Sequence, residues 1–199
     1  MFTGIVTALG TVSAIEPFGE GKDMRLTIAT SWPDTASIPL GASIACSGCC
    51  LTAVEVNIDS VVVDASAETV SRTILGSWTV GSRVNLERSL KIGDELGGHM
   101  VSGHVDDVGE AVSAVAENGS TRWRFRLPVA LSRFIAEKGS VTVNGVSLTV
   151  NEVAGDMFGV NVIPHTTECT GFGTMKLGDK VNIEIDMLAR YVARLAETK

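Results

Sequence analysis

Long apolar runs are missing from this sequence. No stretch approaches the ~18 apolar residues that a membrane helix needs. The start, Met1-Phe2-Thr3-Gly4-Ile5-Val6, has no basic region leading into an apolar run and a cleavage site. The expectation is a cytoplasmic chain with no membrane partner. Basic residues are also outnumbered: 16 Lys and Arg stand against 23 Asp and Glu, a net charge of −7, with a pI near 5.0. Nucleic-acid binders usually present a basic face that neutralises phosphates, so no nucleic-acid partner is expected. The local basic cluster Arg122, Arg124 and Arg126 alternates with Trp123 and Phe125, the pattern of a strand with one wet and one buried face. Cysteines number four, and without an export signal they fit a reducing compartment better than a disulfide framework. Cys46 and Cys49 form a CxxC followed by Cys50, but no second CxxC and no HxxxH completes a ligand set. On an extended segment Cys46 and Cys50 would share one face and Cys49 the other, so no metal is expected.

Hydrophobic residues, in contrast, make up 45% of the 199-residue chain and charged residues 20%, ample for one large or two small globular domains. An internal repeat decides for two. Shifted by 97 positions, Ser43, Gly48, Leu51, Thr52, Glu55, Val56 and Asp59 recur as Ser140, Gly145, Leu148, Thr149, Glu152, Val153 and Asp156. The same shift carries Thr69, Thr73, Gly76, Gly81, Val84, Asn85 and Glu87 onto Thr166, Thr170, Gly173, Gly178, Val181, Asn182 and Glu184. At the chain starts the shift is 99, placing Gly4, Val6 and Gly10 on Gly103, Val105 and Gly109.

Each half reads as short strands: Val141 and Val143 alternate, Val61, Val62 and Val63 run together, and turn residues bound them. Asn144-Gly145 is a hairpin signal, with Gly48 at the equivalent place. Many short strands in a unit of this size predict a small closed β-barrel, since closure removes the sheet edges. The end differs. Leu188, Tyr191, Val192 and Leu195 form one apolar stripe of a helix behind Asp186 at the N-cap position. That stripe suits either packing onto its own chain or meeting copies of itself. The predicted organisation is a barrel at 1–88, a connector at 89–98, a second barrel at 99–186 and a helix at 187–199.

Positions that differ between the halves are the candidates for chemistry. Cys50 stands opposite Ser147, Ile5 opposite His104, Gly41 opposite Lys138 and Asp64 opposite Asn161. Cys50 reads either as a nucleophile or as a small buried hydrophobe. His104, among glycines, reads either as an acid/base beside a planar ligand or as part of a tight turn. His99 is assigned a structural role, and His165 a loop position.

The segments Met1-Phe2-Thr3-Gly4-Ile5-Val6, Gly48-Cys49-Cys50-Leu51-Thr52, Gly97-Gly98-His99-Met100-Val101-Ser102-Gly103-His104 and Gly145-Val146-Ser147-Leu148-Thr149 resemble the riboflavin synthase family, over essentially the whole chain. The resemblance implies an all-β chain of two six-stranded Greek-key barrels with a C-terminal α-helix that makes a homotrimer, and lumazine synthase as a further partner. It implies a cofactor-free dismutation of two 6,7-dimethyl-8-ribityllumazine molecules. The products would be riboflavin and 5-amino-6-ribitylamino-2,4-pyrimidinedione, formed by transfer of four carbons. The implied catalytic set is Cys50, His104, Ser147, Thr149, Ser43 and Asp186. The implied substrate pocket in one barrel is Gly4, Ile5 and Val6 with Cys50, Leu51, Thr52, Asp64, Ala65, Ser66, Ala67, Glu68 and Thr69. In the other it is Gly103, His104, Val105, Lys138, Ser147, Leu148, Thr149, Asn161, Val162, Ile163, Pro164, His165 and Thr166. An active site between subunits would bring Cys50 of one toward His104 and Ser147 of its neighbour. His165 departs from the acidic residue expected there. A non-catalytic lumazine- or flavin-binding protein would share the fold, but Cys50, His104 and Ser147 together favour the enzyme. The flavin domain of an oxidoreductase is disfavoured by the lack of a GxGxxG after a strand.

Overall fold

The computed structural model describes residues 1–19 and 21–197. The first half contributes β1 (Ala8–Phe18), β2 (Asp23–Ala29), β3 (Ser43–Cys46), β4 (Cys49–Val56), β5 (Ser60–Ala65), the short helix α1 (Ala67–Arg72) and β6 (Arg83–Arg88). The second repeats them as β7 (Asp107–Glu117), β8 (Ser120–Arg126), β9 (Ser140–Val143), β10 (Val146–Ala154), β11 (Met157–Val162), and β12 (Lys180–Ile185). It adds a one-turn helix α2 (Val129–Ser132) after β8, repeats α1 as α3 (Pro164–Cys169) after β11, and is followed by α4 (Met187–Glu197). The last two positions of the helix expected at 187–199 lie outside the described residues.

Strand order β1-β2-β5-β4-β3-β6 closes one barrel, and the same order, six strands on, closes the other. Every paired neighbour is antiparallel. Register shifts recur at equivalent places, Val12/Ala14 with Ala111/Ser113 and Ala53/Glu55 with Val150/Glu152, and such bulges bend strands so that a sheet can curve onto itself. Alternation fills each interior: Leu26, Ile28, Val61, Val63 and Leu86 in the first, and Phe125, Phe158, Val160 and Ile183 in the second. Arg122, Arg124 and Arg126 face outward as expected, ion-paired with Glu117, Glu152 and Asp156.

The cysteine segment is not one extended run. Ser47 and Gly48 have φ of 45° and 85° and turn the chain, so Cys46 and Cys49 become cross-strand partners. Both are buried in the first core, while Cys50 faces outward toward Phe2, Ala45 and Val101. This corrects the expected pairing of Cys46 with Cys50, because a hairpin reverses the alternation assumed for a straight strand.

The barrels are interlocked. Phe2 bridges to Val101, after which each chain start crosses to the opposite barrel. The Ser147 amide donates to the Gly4 carbonyl and the Cys50 amide to the Gly103 carbonyl, both at 2.8 Å. Val6 packs on the second core and Val105 on the first. The repeated asparagines do the same: Asn85 Nδ2 donates to the Asn144 carbonyl at 2.8 Å, and Asn182 Nδ2 to the Ser47 carbonyl at 2.9 Å. The two hairpin turns meet back to back. A Cβ on Gly48 would fall 2.8 Å from the Gly145 nitrogen, and one on Gly145 2.6 Å from the Gly48 nitrogen, so only glycine permits this approach.

Candidate active site

The crossing decides which side chains share a site. A cavity of about 210 Å³ is lined by Cys49, Cys50, Glu68, Thr69, Arg72, Thr73, Gly103, His104 and Val105. The expected grouping of Gly4–Val6 with Cys50, and of Gly103–Val105 with Ser147, is thereby corrected: the segments trade places. One chain by itself already lines this cavity with both Cys50 and His104. The cause is tertiary: Gly103 is bonded to the Cys50 amide, and a Cβ on Gly103 would lie 2.6 Å from the Cys50 Cβ.

Within this cavity the two adjacent cysteines differ. Burial pushes the Cys49 thiol up to about 12, and Asn182 Nδ2 lies 3.4 Å from its sulfur, so it stays a thiol. Cys50 is half-buried and lines the cavity with the exposed His104. Among the described residues no group of three or more metal-ligating side chains is gathered.

The Ser147 half-site carries an arrangement absent from the sequence expectations. Ser147 Oγ lies 2.8 Å from His99 Nδ1, and the His99 amide donates to the Thr3 carbonyl at 3.1 Å. Gly98 makes room, because a Cβ there would fall 2.8 Å from the Ser147 Cβ. Burial lowers the His99 pKa, opposed by the charge of Asp186, so at neutral pH the imidazole is uncharged and able to accept the serine proton. His99, read from the sequence as structural, thus stands within hydrogen-bond distance of Ser147. The repeat could not single it out, because the matching position would precede Met1. Ile5, opposite His104 in the repeat, lines a larger cavity of about 490 Å³ with Thr3, Thr7, Trp32, Glu87 and Gly97, among others. Its lining offers no thiol or imidazole.

The remaining expected residues spread around these centres. Leu51, Ala65, Leu148 and Val162 are buried, with Leu51 and Ala65 part of the first core and Leu148 and Val162 part of the second; Thr52 and Thr149 are exposed at equivalent places. Asp64 accepts from Arg25 at 2.7 and 2.8 Å, and that guanidinium holds its carboxyl below the usual range. Ser66 caps α1 by accepting from the Thr69 amide, and the Ala67 amide donates to Asp23. Asn161 accepts from Ser120. Ile163, Pro164, His165 and Thr166 open α3. Where α1 has the Glu68–Arg72 ion pair at 2.9 Å, α3 has His165 with Cys169 Sγ at 3.8 Å, so both members of the pair change together. Lys138 is exposed and has φ +66° where its counterpart Gly41 has +81°, a conformation that disfavours a side chain. Ser43 lies with Ile38, Arg88 and Lys91 in another cavity, of about 250 Å³, and not in the one that holds Cys50. Asp186 accepts from the Leu188 amide and so caps α4.

The lumazine binding domain matches the chain twice, at residues 3–89 and 102–186. Riboflavin synthase of Brucella abortus (strain 2308) is 50% identical over 202 residues, covering 99% of this chain and 98% of its own. Riboflavin synthase of Mycobacterium tuberculosis (strain ATCC 25618 / H37Rv) is 44% identical over 199 residues, covering 98% of each. Among solved structures, LumP complexed with riboflavin superposes with a TM-score of 0.85 at 26% identity, over 93% of this chain and 99% of that one. LumP complexed with 6,7-dimethyl-8-(1'-D-ribityl) lumazine gives 0.82 at 25% identity with the same coverage. Two matched domains and full-length similarity at this level place the chain in the riboflavin synthase family of lumazine-binding twin-barrel proteins.

Proposed function

We infer that the chain dismutates two molecules of 6,7-dimethyl-8-ribityllumazine into riboflavin and 5-amino-6-ribitylamino-2,4-pyrimidinedione. The observation that carries this reading is the pair of unlike half-sites built on one repeated scaffold, Cys50 with His104 and Ser147 with His99. Identical substrates in unlike settings suit a reaction in which one gives four carbons and the other receives them. No external oxidant is required, since the two products together contain the atoms and electrons of the two substrates.

The lumazine ring is electron-poor, so its 7-methyl protons are acidic and its C7 accepts nucleophiles. His104 takes the methyl proton of one molecule, an imidazole being able both to accept a proton and to give it back. Ser147, its proton drawn toward neutral His99, adds at C7 of the other. Holding two planar rings face to face contributes about 7 to 11 kcal/mol through orientation. Thr52, Thr149, Lys138, Asn161 and the residues opening α1 and α3 line the approach and bind ring and ribityl groups.

The two half-sites of one chain are completed by those of another, in a homotrimer joined through α4. In support, α4 holds out Leu188, Tyr191 and Val192 at 59%, 64% and 66% exposure, an apolar stripe that association would bury. Association with lumazine synthase belongs to the same reading and is tested by co-sedimentation. The deciding experiment is incubation of pure protein with the lumazine and no added cofactor. Riboflavin and the pyrimidinedione should form in equal amounts; ligand bound without turnover would assign the chain a carrier role instead.

A further inference from the structure

Two buried carboxylates stand outside the mechanism. Glu87 on β6 and Glu184 on β12 are equivalent in the repeat and only 6% and 3% exposed. Among the described residues neither has an ion-pair partner. Glu87 accepts from the Thr3 amide at 2.6 Å, the Thr3 hydroxyl at 2.7 Å and the Gly4 amide at 3.0 Å. Glu184 accepts from the Ser102 amide at 2.7 Å and the Gly103 amide at 3.0 Å. Burial pushes both groups up, and the amides pull them back. Burying a carboxylate is costly unless its lone pairs are met, and here two adjacent N–H groups aim at one side chain. Only a group with two acceptor oxygens satisfies both, whereas a glutamine would turn one donor against another.

All these donors belong to the two crossing segments. Gly103 is held on both sides, its amide by Glu184 and its carbonyl by the Cys50 amide, and His104 follows directly. Gly4 is held likewise by Glu87 and the Ser147 amide, and Ile5 follows. We propose that Glu184 and Glu87 are positioning residues of the two half-sites, Glu184 fixing His104 beside Cys50 and Glu87 fixing the Gly4–Ile5 peptide beside Ser147. This rests on the activity inferred above.

The test uses the full chain with Glu184→Gln, Glu87→Gln, His104→Gln and the two doubles that combine His104→Gln with each glutamate change. Glu184→Gln should lower kcat by about 10- to 100-fold, with riboflavin affinity changed far less. Added to His104→Gln it should cost no more than about 2-fold further, because the group it positions is already gone. Glu87→Gln should multiply with His104→Gln. Hydrogen exchange of the Ser102 and Gly103 amides should accelerate in Glu184→Gln while the barrel strands stay protected. Wild-type kcat in Glu184→Gln, or a loss that multiplies with that of His104→Gln, overturns the proposal. Glu184→Asp, which keeps the charge but withdraws the acceptors, carries the same comparison where the amide variant does not fold. A wild-type protein that forms no riboflavin would sink the activity alone, and the exchange rates would still decide whether Glu184 docks the segment.

Discussion

His99 and Lys138 show how much function rests on single unfavourable placements. Burial lowers the His99 pKa below the unfolded value of about 6.5. The unfolded chain therefore takes up this proton first as pH falls, so the stability His99 contributes is full above ~6.5 and is lost as pH drops through its folded pKa. Denaturant midpoints of wild type and His99→Gln between pH 8 and 5 should show the difference moving against wild type on the acid side, and kcat of wild type should fall over the same range as the imidazole loses its free acceptor. A constant difference would show that His99 does not titrate in this window. Lys138 gives the opposite signature. Its positive φ costs about 1 kcal/mol or more relative to glycine, partly offset by glycine's unfolded-state entropy. Lys138→Gly should raise stability by about 0.5 kcal/mol and weaken ligand binding, a combination expected where strain is kept for function. Calorimetric melting and riboflavin fluorescence titration check the two halves of that statement.

Helix α4 is tied to the second barrel by few groups. Arg190 pairs with Asp106 at 2.7 Å and Arg133 with Glu197 at 2.5 Å; Asp106 also accepts from the Ile185 amide. Neither core cluster includes an α4 side chain. Truncation after Asp186 should therefore leave both barrels folded, with secondary structure by circular dichroism otherwise unchanged. Light scattering should report a monomer and the assay little turnover, because each half-site then lacks its counterpart. A truncated protein that remains trimeric and fully active would remove the helix from assembly.

The crossing segments make the two barrels one cooperative body rather than beads on a string. Residues 1–88 expressed alone lose Val105 from their core and the Gly103 carbonyl from the Cys50 amide. Their own Gly4–Val6 segment, equivalent in the repeat, is left without Ser147. Two copies can satisfy each other by exchanging this segment, the route by which identical elements swap at little cost. The expected product is a dimer that binds riboflavin, read by sedimentation and fluorescence together. A well-folded monomer with the same affinity would show that the crossing is not needed to complete the site.

Much of this molecule was legible in the sequence because the relevant forces act locally. Alternation of apolar residues specifies strands, Asn144-Gly145 and Gly48 specify turns, a repeat implies two like units, and the stripe from Leu188 to Leu195 specifies a helix. Differences between the halves set Cys50, His104 and Ser147 apart, and the fold lines one cavity with Cys50 and His104 and sets Ser147 against His99. Pairing across the molecule was not legible. Gly4–Val6 and Gly103–Val105 are so alike that either could sit beside either hairpin, and composition alone does not choose. Packing chose: the back-to-back turns at Gly48 and Gly145 bring the barrels close enough for each chain start to cross, and Glu87 and Glu184 hold it there. That is why His104 meets Cys50 in one chain, and why His99, with no partner in the repeat, meets Ser147.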